Sequence, residues 1–189
     1  MLLVTVSTFY LAQQNRFAAA GAAAFLATLT RAQSVVLVVP LLIIVWRRFG
    51  ARWWHDRRAL SSVLAAPAAV VAYQVYLIAA GLPRADEVYR NLWKSVPTVP
   101  GYELWLAIQH VATGSPTIGR RLALVVFFVA AALTVLAFKR LPPEYGAYML
   151  TMIILILTRH DQLGRPLLSF SRHALMLFPG LIALAATIR

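Results

Sequence analysis

Apolar runs of unequal length, each closed by arginine, proline or glycine, make up most of this chain. Residues 1–12 are apolar but fall short of the ~20 residues that a spanning helix needs. They read as the trailing end of a helix, and with no basic segment ahead of them they lack the form of a cleaved signal peptide. Residues 17–30 and 34–46 are also short, and Arg31 stands between them. That pattern predicts a hairpin of two short or tilted helices in place of one straight span. Residues 60–82 are long enough to span and end at the helix-breaking GLPR, Gly81 to Arg84. Residues 122–138, 145–158 and 173–188 complete the series, with turns at Pro142-Pro143 and Gly164. The fold class this predicts is all-α: a polytopic transmembrane bundle of about six to seven helices, with residues 1–189 forming one transmembrane domain.

The polar segments set an expected topology. WRRFGARWWHDRR, residues 46–58, puts five arginines in one short loop with Trp46, Trp53 and Trp54 as interfacial anchors. The positive-inside rule makes it a cytoplasmic loop. Residues 83–119 then form an extracytoplasmic loop. Within it YELWLAIQHVAT, residues 102–113, places Leu104, Ile108 and Val111 on one helical stripe, with Glu103 and His110 one heptad apart on another. A short helix lying in the membrane interface, with Trp105 near the headgroups, fits that pattern. FAAAGAAAF, residues 17–25, offers small residues for close helix packing.

Composition narrows the class. Of the 189 residues 61% are hydrophobic and 13% charged, and the mean hydropathy is +0.73. Soluble domains are nearer half apolar, so the chain reads as an integral, multi-pass membrane protein. The net charge of +12 comes from 18 Lys and Arg against 6 Asp and Glu. Because the basic residues cluster at the ends of apolar runs, topology and anionic headgroups account for them, and membrane lipids are the partners they imply. No nucleic-acid partner is expected. Cysteine is absent, which removes disulfides and thiolate catalysis. The only lysines are Lys94 and Lys139; arginine in place of lysine, with abundant alanine, suggests a GC-rich bacterial genome and hence the bacterial cytoplasmic membrane.

Under this topology the outer side is unusually basic. Snorkelling to the interface suffices for Arg120 and Arg121. Arg31, Arg159 and Arg172 lie beside apolar helices with few acidic partners, where a charge is costly and faces a cavity or the bundle interior. A phosphate would resolve this, because a guanidinium is a planar fork matched to phosphate oxygens. The three arginines are therefore candidate ligands for a lipid phosphate. Asp161, His160 and His173 adjoin them and could act as a base or orient an arginine. Trp93, Tyr102 and Trp105 stand in the outer loop, where interfacial anchoring accounts for each taken singly. There is no HExxH, carboxylate cluster, P-loop or GxSxG, so no metal site and no cofactor is implied.

RFAAAGAAAFLATLTRAQSVVLVVPLL, residues 16–42, resembles a recurring segment of integral-membrane glycosyltransferases of the GT-C class. The nearest type is the mannosyltransferase group like the GPI mannosyltransferase PIG-V. There a helix ends in Leu-Thr-Arg-Pro; here the motif is Leu29-Thr30-Arg31-Ala32, without the proline. RPLLSFSRHALMLFPGLIALA, residues 165–185, resembles the late Ser-x-x-Arg-Tyr segment, with Ser169, Arg172, His173 in place of tyrosine, then Phe178-Pro179. LPPEYGAYMLTMIILILT, residues 141–158, fits the preceding helix. The resemblance implies transfer of a sugar, mannose in that group, from a polyprenyl-phosphate donor at the extracytoplasmic face. An acceptor hydroxyl would attack the anomeric carbon with inversion while the arginines stabilise the leaving phosphate. Arg31 and Arg172 match family positions; Arg159 is added on the physical argument above. The acceptor contacts that the resemblance implies would fall in the outer loop, at Trp93, Tyr102 and Trp105, since aromatic faces suit sugar rings.

The family carries its acidic catalytic residue in an early extracytoplasmic loop that has no counterpart here. The resemblance thus implies the C-terminal part of a larger GT-C domain, catalytic residue unassigned, which would need a missing N-terminal half or a partner subunit. Two other classes stay open. One is a small transporter or flippase-like subunit whose outer arginines bind an anionic lipid or solute, although no internal repeat supports it. The other is a structural subunit supporting a partner.

Overall fold

The computed structural model of the protein describes residues 2–92, 94–113, 118–161, 167, 170 and 177–188. They form two compact units, Met1–Pro83 and Arg84–Arg189.

The first unit is built on helices α1 (Leu2–Gln13), α2 (Phe17–Thr30), α3 (Val38–Phe49) and α4 (Arg57–Ala79). Asn15, at φ +60°, turns α1 into α2; asparagine is among the few residues that enter this left-handed region readily. On α2 the buried positions are Phe17, Ala20, Gly21, Ala24, Ala27 and Thr28, a helical stripe made almost wholly of small residues. It lets α4 approach until the backbones touch: a Cβ on Gly21 would stand 2.9 Å from the Ser62 Cα. Hydroxyls inside these apolar helices are satisfied locally. Thr8, Thr28 and Ser62 each donate to a carbonyl three or four residues back, the usual way to keep such groups paired away from water.

Between α2 and α3 the helix breaks at Arg31, whose backbone is extended at φ −157°, ψ 113°. A tight 3-10 turn over Ala32–Leu37 follows, and α3 begins only at Val38. The short helices expected on either side of Arg31 are therefore present, the second entered through a wound-up turn. At the other end α3 runs on to Phe49, Gly50 stops it at φ +61°, and Gly50–His55 winds as a second 3-10 turn. Asp56 then caps α4, its Oδ1 accepting from the N–H of Arg58 at 2.8 Å and of Ala59 at 3.0 Å. An aspartate cap satisfies amides that the first turn leaves orphaned. This starts α4 at Arg57, before the apolar run that begins at residue 60.

The second unit comprises α5 (Ala85–Asn91), β1 (Ser95–Pro97), α6 (Tyr102–Ala112), α7 (Ile118–Arg140), α8 (Pro143–Leu157), β2 (Arg159–Asp161) and α9 (Phe178–Ile188). Pro142 and Pro143 turn α7 into α8, with Pro143 in the first helical turn where its missing N–H costs nothing. The hairpin is tight at Gly146, which lies against the Phe138 ring. Gly180 of α9 fits between Leu133 of α7 and Met149 of α8. Tyr148, Met149, Met152 and Phe170 are fully buried, with the Phe127 and Phe170 rings 5.4 Å apart. Strands β1 and β2 pair antiparallel, Ser95 with Asp161, Val96 with His160 and Pro97 with Arg159. Thr98 N donates to Thr158 O at 2.8 Å and extends the ribbon. Residues 159–161 lie beyond the apolar run that ends at residue 158, and the main-chain pairing to β1 is what orders them.

Three helical segments, Ala32–His55, Arg57–Ala79 and Arg121–Arg140, are long and apolar enough to cross a membrane. At 23 residues, α4 is about 35 Å long, enough for a hydrocarbon core of ~30 Å. Shorter apolar helices are Leu2–Gln13, Phe17–Thr30, Pro143–Leu157 and Phe178–Thr187. By length and composition the described residues make an all-α protein of membrane type, with a two-stranded ribbon among them.

Candidate functional site

The richest chemistry lies around β2. Helix α8 ends at Leu157, and the extended Arg159–Asp161 segment follows. Successive strand residues point to opposite faces, so Arg159 and His160, neighbours in sequence, serve different surroundings.

His160 meets α6. Its Nδ1 is bonded to Oε1 of Glu103, and the edge of the Tyr102 ring packs on the imidazole with centroids 5.4 Å apart. Glu103 is only 3% exposed, and its other oxygen accepts from Leu167 N at 3.1 Å. Leu167 holds φ +58° to present that amide, a left-handed backbone that is costly for a residue with a Cβ. Both carboxylate oxygens are thus engaged, as burial of a charge demands. The His160 side chain is 24% exposed, and the neutral tautomer that donates Nδ1–H to the carboxylate has a lone pair on Nε2. A carboxylate-backed imidazole of this kind can take a proton from a hydroxyl while the carboxylate stabilises the resulting cation.

Arg159 meets α5. Its Cζ lies 4.5 Å from the centroid of the Tyr89 ring. A cation–π contact of this kind is electrostatic and spends none of the guanidinium's N–H donors on a carboxylate or phosphate. The neighbouring carboxylate, Asp86, pairs with Arg84 at 3.1 Å and Arg90 at 3.8 Å. Arg159 is solvent-exposed, and no hydrogen bond or ion pair engages its guanidinium among the described residues.

Among the residues singled out from the sequence, the structure gathers His160 and Tyr102 into one cluster and sets Arg159 on the other face of the same strand. Arg31 belongs to the first unit, half-buried at the break between α2 and α3. Trp105 is exposed on α6, as are Tyr102 and Ile108. Arg172, His173 and Trp93 lie outside the described residues, and of Asp161 only the backbone pairing is described.

Glu103 was not singled out as a site residue, although the sequence did place it on one stripe with His110. The structure pairs it with His160 instead, leaving His110 Nδ1 buried without a partner among the described residues. The signal for Glu103 was the one acid in a helix whose other first-turn neighbours, Tyr102, Leu104 and Trp105, are aromatic or apolar. Among the described residues no group of three His, Cys, Asp or Glu side chains could hold a metal ion. Comparison with protein families, with curated proteins and with solved structures finds no match.

Proposed function

We propose that this chain is a membrane glycosyltransferase, or the lipid-phosphate-binding portion of one, that takes a sugar from a polyprenyl-phosphate donor at the extracytoplasmic face. The observation that supports this reading most is Arg159, exposed, with its Cζ over the Tyr89 ring at 4.5 Å and its guanidinium in no ion pair among the described residues. A guanidinium is a planar fork that can take two phosphate oxygens at once. Charge that develops on the departing phosphate would then be met by a donor already in position. The motifs around Arg31 and around Arg172 are what point to mannose.

The reading includes a multi-pass topology in which residues 46–58 face the cytoplasm of a bacterial cell and residues 83–119 face outward. The test is transfer of radiolabelled sugar from a polyprenyl-phosphate donor in membranes that contain the protein. Label appearing in an acceptor above the background of membranes lacking the chain supports a transferase. Movement of donor or solute across the bilayer without sugar transfer identifies a transporter instead.

A further inference from the structure

The segment joining α3 to α4 takes no part in the site around β2, yet it concentrates charge more than any other stretch. The final turn of α3 carries Arg47 and Arg48, the 3-10 turn carries Arg52, and the first turn of α4 carries Arg57 and Arg58. All five are exposed. The one carboxylate in the segment, Asp56, spends its Oδ1 on the amides of Arg58 and Ala59. Arg48, Arg52, Arg57 and Arg58 meet no carboxylate among the described residues.

Helix stability does not explain the arrangement. Cations suit the C-terminal end of α3, but Arg57 and Arg58 occupy the end of α4 where positive charge is disfavoured, and that turn has no acid beyond the cap. Trp46 and Trp54 stand 52% exposed beside the arginines. The indoles of Trp53 and Trp54 pack edge-on at 6.2 Å, and the Phe49 ring rests on Phe17 at 5.5 Å. The turn is thus a formed surface: it closes one helical segment long and apolar enough to cross a membrane, Ala32–His55, and opens another, Arg57–Ala79.

We infer that the Arg47–Arg58 turn is a binding surface for anionic phospholipid headgroups. The arginine forks take the lipid phosphates, and the exposed indoles sit at headgroup depth beside them. Charge complementarity selects the occupant: a zwitterionic headgroup offers the forks a phosphate already matched by its own cation.

The experiment titrates the purified full chain, in a neutral detergent, with short-chain phosphatidylglycerol, with phosphatidylcholine of the same chain length, and with inorganic phosphate, following tryptophan fluorescence. The expected result is binding of phosphatidylglycerol at least tenfold tighter than of phosphatidylcholine. It should weaken by roughly fivefold for each arginine removed in Arg48→Gln, Arg52→Gln and Arg57→Gln. Added salt should weaken it further in the unaltered protein, a readout that survives if a combined variant fails to fold. Equal affinity for the two lipids, or variants that bind like the parent, would overturn the proposal. Competition by inorganic phosphate at the lipid's own concentration would overturn it too, since the site would then be for a free anion.

Discussion

Nδ1 of His160 and the carboxylate of Glu103 bond to each other across 57 residues of sequence and so tie β2 to α6. The same carboxylate holds the Leu167 amide at 3.1 Å. Removing the imidazole leaves a buried carboxylate with one backbone donor. His160→Ala is therefore expected to cost about 3–5 kcal/mol, the range for breaking a buried pair from one side. Glu103→Gln keeps the shape and an acceptor, and should cost about 1–3 kcal/mol. Denaturant unfolding in detergent orders the two variants; unfolding midpoints equal to the parent's would remove the bridge from the account.

The α2–α4 contact predicts a contrast between two glycines. A Cβ on Gly21 meets backbone, the Ser62 Cα at 2.9 Å, whereas one on Gly146 meets the Phe138 ring. Backbone cannot step aside, but Phe138 is 45% exposed and its ring can swing outward. Gly21→Ala should cost about 1–3 kcal/mol by overpacking, and Gly21→Val more. Gly146→Ala should cost less than Gly21→Ala. Thermal unfolding of the three variants side by side reads the order directly, and the reverse order would be inconsistent with the packing described.

The break at Arg31 makes a less obvious prediction. A residue before proline must be extended, and Arg31 already is, at φ −157°, ψ 113°. Among the described residues no backbone carbonyl outside regular helix takes the Ala32 N–H, and the first position of a helical turn suits proline. Ala32→Pro should be neutral or stabilising by about 0.4–1 kcal/mol, through a less flexible unfolded chain. The Leu-Thr-Arg-Pro form of the motif would then fit this backbone. Loss of folded protein on this substitution would mean that the corner is built differently.

Helices were legible where apolar length or a strong breaker spoke for them. The stop near Gly81 and the turn at Pro142-Pro143 follow from proline and glycine chemistry alone. The start of α4 was missed because Asp56 sits among five arginines and was read as part of a charged loop, although an aspartate before a helix is a cap signal. The ribbon was out of reach: strands of three residues carry no periodicity, and their pairing joins Ser95 to Asp161. Arg159 and His160 were read as one constellation because they adjoin in sequence; only the extended backbone sends them to opposite faces. Glu103 found its partner through that ribbon, a contact no local pattern encodes.

The most direct test of the transferase reading is the rate of sugar transfer from a polyprenyl-phosphate donor by the purified protein and by its Arg159→Ala and Arg159→Lys variants. The account predicts measurable transfer by the parent and a loss of about 10²–10³ in kcat/KM for Arg159→Ala, the scale of removing one transition-state donor. Arg159→Lys should fall between them, retaining the charge but not the planar fork. No transfer by the parent would contradict the enzyme itself, and full activity in Arg159→Ala would contradict the phosphate-holding role of Arg159.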